Sequence, residues 1–185
     1  VHVPFCVVKC PYCDFFSVEA KGQDLGATVG ALLNEARARA PRSPRTVFIG
    51  GGTPSLLPEP LLVELIDGLD AITGFRAAAL EVTAECNPES LDRDKARLLT
   101  ELGVTRLSLG IQSLDPDILT FLGRAHGPDD GLRALEAALA TGADVGVDMI
   151  YASPGQSTED WEGELARVLE FEPHHLSAYN LTIEE

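Results

Sequence analysis

Cys6-Val7-Val8-Lys9-Cys10-Pro11-Tyr12-Cys13 gathers three of the chain's four cysteines into a C-x3-C-x2-C run. Three thiolates so spaced can hold three corners of a cubane iron–sulfur cluster. A [4Fe–4S] cluster that only carries electrons has all four irons held by cysteine. Here the run leaves one iron without a protein ligand, free to bind a small molecule and pass it an electron. A zinc ion is the rival reading; it needs four ligands, so Cys86 or a distant histidine would have to join. A chance cluster of buried cysteines is the third. Cys86 lies beside Glu85 at the end of a β-like run and reads as a small buried residue, not a ligand.

Working outward, the cysteine run follows the first of six β-like runs, at residues 1–5, 46–49, 80–85, 106–109, 145–150 and 175–181. Valine, isoleucine and leucine dominate most of them, as in strands buried on both faces. Helical stretches fall between, at 25–40, 60–72, 92–102, 116–122, 129–141 and 158–171. Pro58 and Pro60 precede the second, Ser157-Thr158-Glu159-Asp160 offers a cap with early acids for the last, and Gly103 and Gly142 suit helix ends. Strands alternating with helices predict a parallel α/β sheet with right-handed crossovers. Six units fall short of the roughly eight of a closed barrel, so a closed barrel would need more chain, or the barrel stays open.

In such barrels the chemistry sits at the C-terminal ends of the strands, and the unusual residues of this chain fall there. The cysteines follow the first run and Gly50-Gly51-Gly52-Thr53-Pro54 the second; Glu85 closes the third and Gly110-Ile111-Gln112 the fourth. Pro154-Gly155-Gln156 follows the fifth, and Asn180 to Thr182 end the sixth. The triple glycine lacks the lysine of a phosphate loop; it reads either as backbone brought close to a ligand or as a plain turn. Glu85 and Asp148 suit an amine or ribose hydroxyls and Arg124 a carboxylate, although each reads singly as a cap, a surface charge or a structural pair. Asp148, among Val147, Met149 and Ile150, is expected to be buried and to need a partner. Tyr12 packs either on a ligand or over the core. His2, His126, His174 and His175 show no metal spacing and read as ordinary histidines; Arg124-Ala125-His126 carries no independent sign of entering the site.

Bulk properties exclude several classes. The 185 residues carry a formal charge of −15, which argues against nucleic acid as the main partner. The 45% hydrophobic content is ample for a core, yet no apolar run approaches the ~18 residues of a membrane span. No segment reads as a secretory leader. Three crowded cysteines in a chain this long suggest a metal in a reducing cytoplasm, not a disulfide framework. Val1 starts inside an apolar run and residues 181–185 stop abruptly, so both ends read as cut, with residues 1–185 as one domain.

The chain resembles the radical S-adenosylmethionine superfamily, in the branch of the oxygen-independent coproporphyrinogen III oxidases and related heme chaperones. The resemblance is carried by His2-Val3-Pro4-Phe5-Cys6 through Cys13-Asp14-Phe15, Phe48-Ile49-Gly50-Gly51-Gly52-Thr53-Pro54-Ser55, Glu85-Cys86-Asn87-Pro88 and Arg106-Leu107-Ser108-Leu109-Gly110-Ile111-Gln112-Ser113. Leu122-Gly123-Arg124-Ala125-His126, Asp148-Met149-Ile150-Tyr151 and His175-Leu176-Ser177-Ala178-Tyr179 extend it nearly end to end.

The resemblance implies a partial (β/α)6 barrel in which Cys6, Cys10 and Cys13 hold a [4Fe–4S] cluster. The open iron would chelate the amino and carboxylate groups of S-adenosylmethionine. Gly51, Gly52 and Thr53 would meet its methionine end. Glu85, Gln112, Arg124 and Asp148 match polar cofactor contacts in the oxidase branch, where a second S-adenosylmethionine is also bound, and Tyr12 and Thr182 match backbone-type contacts. The reduced cluster, supplied by an electron-donor protein, would inject an electron into the sulfonium, and the 5′-deoxyadenosyl radical would take a hydrogen atom.

Within the branch two activities compete. The oxidase type carries Cys-Gly-Cys from the third cluster position, whereas Cys13-Asp14-Phe15-Phe16-Ser17 resembles the chaperone type. The first implies decarboxylation of a porphyrinogen, the second heme binding and delivery to an acceptor protein; the chaperone type is favoured. A radical enzyme with an unrelated substrate stands as a third alternative. The pattern departs from the family at Ala152-Ser153-Pro154, where Gly-Leu-Pro is usual, and in the tyrosine usual before Val1. The resemblance also implies a C-terminal portion beyond Glu185 that helps hold the porphyrin or heme.

Overall fold

The computed structural model describes residues 1–182; residues 183–185, which the one-domain expectation includes, lie outside the described residues. In chain order the strands are β1 (His2–Val3), β2 (Phe5–Cys6), β3 (Val18–Glu19), β4 (Thr46–Gly51), β5 (Glu81–Cys86), β6 (Arg106–Gln112), β7 (Asp144–Tyr151) and β8 (His175–Asn180). The helices are α1 (Leu25–Arg39), α2 (Glu59–Thr73), α3 (Phe75–Ala78), α4 (Arg93–Glu101), α5 (Pro116–Phe121), α6 (Pro128–Leu139) and α7 (Thr158–Leu169). Six strands form one sheet in the order β1-β4-β5-β6-β7-β8, every pair parallel. Among the described residues β1 and β8 are the edges of this sheet, which does not close on itself.

The two faces of the sheet carry different chemistry because side chains alternate along a strand. On one face Val82, Ala84, Leu107, Leu109, Ile111, Val145, Val147 and Met149 are buried. They pack in one core with Leu62, Leu65 and Ile66 of α2, Leu99 of α4 and Leu135 of α6. Each valine, leucine, isoleucine or methionine among them contributes roughly 1.5–3 kcal/mol on leaving water. The other face carries Glu85, Ser108, Gly110 and Asp148. Register sets Glu85 beside Ser108 and Gly110 beside Asp148, so the polar residues form a row across β5, β6 and β7.

Three departures from the sequence reading have physical causes. The expected first strand, 1–5, is two: Pro4 lacks an N–H, and beyond it the chain leaves β4 to pair Phe5 with Val18 and Cys6 with Glu19 of β3. β3 was not expected; it closes the base of the cysteine loop. β4 and β6 run past their expected ends at 49 and 109 because glycine backbone keeps the ladder going, with Gly50 N–H donating to the Val1 carbonyl and Gly52 N–H to that of Val3. A bulge between Gly110 and Gln112 turns the end of β6, and there Gln112 takes φ +70°. The helix ends follow the expected chemistry more closely. The Ser157 side chain accepts the Asp160 N–H at the start of α7, and Gly103 follows α4 at φ +97°.

Candidate functional site

A cavity of about 420 Å³ opens at the C-terminal ends of the strands. Cys6, Cys10, Tyr12, Cys13, Gly51, Gly52, Glu85, Gln112, Arg124, Asp148 and Thr182 all line it. Of the expected residues, Thr53 alone is not in the wall; it lies behind it, 1% exposed. Two glycines are required by the backbone itself. Gly51 takes φ +118° and a side chain there would strike the His2 ring; one at Gly52 would strike the Phe5 backbone, which runs alongside.

The cysteine loop is fixed from several sides. Cys13 N–H donates to the Cys10 carbonyl at 3.1 Å, forming the turn that brings the two thiols to one wall. His2 Nε2 meets the Phe16 carbonyl at 2.8 Å and so holds the loop's far end. Thr53 Oγ1 donates to Cys6 Sγ at 3.7 Å, and Arg124 Nη1 to Cys10 Sγ at 3.7 Å. Asn87, just past β5, joins these two donors. Its Nδ2 donates to Thr53 Oγ1 at 2.8 Å and its Oδ1 accepts Arg124 Nη2 at 2.8 Å. A continuous hydrogen-bonded path thus runs from one cysteine sulfur to another, with both of its ends donating to sulfur.

All four cysteines are free thiols. Among the described residues, no three His, Cys, Asp or Glu side chains converge on one ion-sized point. Cys86 is fully buried, and burial pushes its thiol up to about 12, the behaviour of a packing residue. Burial also raises the Cys10 thiol, against the opposing pull of the Arg124 charge.

Charge in the wall is unbalanced. Glu85, Glu89 and Asp148 line the cavity, with Arg124 the one basic side chain in it among the described residues. Burial raises the Glu85 carboxyl above its usual range, the nearby Asp148 adds to this, and the Gly51 N–H bond at 2.8 Å opposes it. Asp148 is half-buried and accepts Ser108 Oγ at 3.1 Å, the partner its apolar neighbours demand. Tyr12 sits half-buried beside Ile118, Leu122 and Ile150, and burial lifts its hydroxyl to about 12. Arg124 Nη2 also donates to the Gly110 carbonyl at 3.0 Å. Burial works against the guanidinium charge, and Tyr12, Glu89 and Cys10 outweigh it, so Arg124 holds its proton even more firmly than usual.

Asn87, Ser108, Glu89 and His126 were not among the site residues expected from the sequence. For Asn87 and Glu89 the signal was their place just beyond Glu85 at a strand end. His126, read as ordinary, is 5% exposed and faces Glu89. The apolar side chains of the cysteine loop are open to solvent, with Phe15 69% and Phe16 74% exposed. Among the described residues no helix is long and apolar enough to cross a membrane.

Comparison with known proteins gives a consistent set of likenesses. The family model described as the radical SAM superfamily matches residues 1–168. The heme chaperone HemW of Escherichia coli (strain K12) is 40% identical over 190 residues, covering 100% of this chain and 50% of the relative. HemW of Bacillus subtilis (strain 168) is 32% identical, again over 100% of this chain and 50% of the relative. The chain thus spans about half the length of the curated relatives it matches. The solved structure of coproporphyrinogen III oxidase (HemN) from Escherichia coli, described as a radical SAM enzyme, superposes with a TM-score of 0.88 at 28% identity, over 98% of this chain and 43% of that one.

Proposed function

The chain belongs to the radical SAM superfamily, and from that premise we propose that it forms the cluster- and S-adenosylmethionine-binding core of a heme chaperone. The family implies a [4Fe–4S] cluster and S-adenosylmethionine, and the residues fit both. Cys6, Cys10 and Cys13 would hold the cluster. The cavity they share supports this, since its wall pairs one guanidinium with three carboxylates. That balance suits a ligand that is cationic overall and carries one carboxylate: S-adenosylmethionine has a sulfonium, an ammonium and a single carboxylate. Arg124 would pair with the carboxylate, Glu85 and Asp148 with the amine or ribose hydroxyls, and Gln112, Tyr12 and Thr182 would complete the contacts. Gly51 and Gly52 leave room for the methionine end, while Thr53 would act from behind, through its bond to Cys6. When bound, the cluster supplies a single electron to the sulfonium.

The heme assignment is carried by position 15. In the oxidase pattern a further cysteine stands there; in this chain it is Phe15, which lines the cavity and is largely exposed. The HemW relatives support the same choice. With Arg124 as the one basic group in the wall among the described residues, the acidic edge of a tetrapyrrole would be held largely from elsewhere in the protein. An electron-donor protein and a heme acceptor complete the scheme, in the cytoplasm. The likeness to HemN favours one alternative, oxidative decarboxylation of coproporphyrinogen III.

One assay separates them. The cluster-loaded protein is given S-adenosylmethionine, reductant and coproporphyrinogen III without oxygen, and hemin in a parallel run. The proposal expects no protoporphyrinogen IX and hemin retained through gel filtration. Formation of protoporphyrinogen IX would establish the oxidase instead.

A further inference from the structure

Residues 124–126 are clamped in two parallel rungs. In the first, Arg124 Nη2 donates to both Asn87 Oδ1, at 2.8 Å, and the Gly110 carbonyl, at 3.0 Å. In the second, two residues along from Arg124 and Asn87 and one along from Gly110, His126 lies between Glu89 Oε2, at 3.4 Å from Nδ1, and the Ile111 carbonyl, at 3.0 Å from Nε2. The His126 side chain has no exposure at all and that of Glu89 is 14% exposed.

The proton count of the second rung follows from its geometry. A carbonyl only accepts, so Nε2 carries a hydrogen and donates it to Ile111. In a neutral imidazole Nδ1 would then be a bare acceptor. It faces a carboxylate oxygen, and neither atom has another hydrogen-bond partner, though both are fully buried. Two acceptors sealed against each other repel; a proton between them removes the conflict.

We propose that His126 is held as an imidazolium by the Glu89 carboxylate, and that this buried ion pair is a positioning device keeping Arg124 aimed at Cys10 and the cavity. Glu89 then faces two buried cations, Arg124 and His126, and Asp130 also lies near enough to His126 to feel its charge. Burial alone would raise its carboxyl, but the bond with His126 and the charge of Arg124 outweigh burial and hold it below its usual range. The pair ties the turn after β5, the end of β6 and the loop bearing Arg124 into one unit. Its effect on ligand binding rests on the assignment of Arg124 to S-adenosylmethionine made above; the ion pair itself does not.

Two measurements test it. Long-range proton–nitrogen NMR on the histidine-labelled chain at neutral pH reads the ring nitrogens of His126 directly. Both are expected to be protonated in the wild type, with Nδ1 losing its proton in Glu89→Gln. A neutral His126 ring in the wild type would overturn the proposal. The second is S-adenosylmethionine affinity of the cluster-loaded protein by calorimetry. Glu89→Gln is expected to weaken it about tenfold, the usual cost of losing one charged buried partner, with iron content unchanged and Glu89→Asp recovering part of the loss. In an Arg124→Ala background Glu89→Gln is expected to add nothing. An undiminished affinity in Glu89→Gln, or full additivity of the two changes, would remove the positioning role. Absence of S-adenosylmethionine binding by the loaded wild type would instead defeat the ligand assignment, and the NMR result would still decide the ion pair.

Discussion

Arg124 and Cys10 stand 114 residues apart in the chain, yet the guanidinium donates to the sulfur at 3.7 Å. The same side chain reaches the end of β6 and, through Asn87 and Thr53, a second cysteine. A planar fork of donors is needed for this, and an ammonium cannot reproduce it. Arg124→Ala is expected to weaken S-adenosylmethionine binding by about ten- to a hundredfold, and Arg124→Lys to recover little of that. Calorimetry on cluster-loaded protein checks it; an unaltered affinity would take Arg124 out of the site.

The four cysteines divide by environment. Cys6, Cys10 and Cys13 line the cavity together; Cys86 touches its floor but is 2% exposed and packs in the hydrophobic core. Alanine at any of the first three is expected to abolish the brown, iron-loaded state. Cys86→Ala is expected to keep the full iron content and to lower stability by on the order of 1 kcal/mol, through lost packing. Iron and sulfide analysis, with urea unfolding for Cys86, checks both halves.

Glu85 offers a pH signature. Its carboxyl is raised in the folded chain, by burial first and by Asp148 second. The folded state therefore binds the proton more tightly than the unfolded state. The stability this contributes is full below the ordinary carboxylate range and is lost as pH rises through the raised value. At neutral pH the buried charge is a liability, one that suits a binding site better than a core. Glu85→Gln, which still accepts from Gly51, is expected to raise the urea midpoint at neutral pH, with the gain disappearing in acid. A midpoint difference that grows toward low pH would contradict the assignment.

Ala152 follows β7 with φ +63°. A side chain in that region is strained, and the family that the chain resembles usually has glycine at this position. Ala152→Gly is expected to stabilise the chain by about 1 kcal/mol, the strain relieved exceeding the added freedom of the unfolded chain. Urea unfolding reads this directly, and a loss of stability would show that the methyl group packs usefully.

Much of the site was legible because its residues punctuate strand ends. Cys6, Gly51, Glu85 and Gln112 each close or follow a β-like run and Asp148 lies near the end of one, and a parallel sheet brings those ends together whatever the packing details. The split at Pro4 was less visible, because Val1, Val3, Pro4 and Phe5 read as one apolar run and only the unexpected pairing of Phe5 with Val18 separates its halves. The role of His126 was hidden for a different reason. Nothing in its spacing links it to Glu89; the contact is made by three elements meeting, which local pattern does not record. Thr53 was placed in the right neighbourhood but one layer too far forward, since a turn's sequence does not say which of its residues faces inward.

The most direct test of the central claim is the electron paramagnetic resonance spectrum of the reconstituted, reduced chain, recorded with and without S-adenosylmethionine. With about four irons bound per chain, the account predicts a reduced-cluster signal whose g-values change when S-adenosylmethionine is added, and which is absent from Cys10→Ala. A signal indifferent to S-adenosylmethionine would mean that the cluster has no open iron, and the function proposed for this cavity would be wrong.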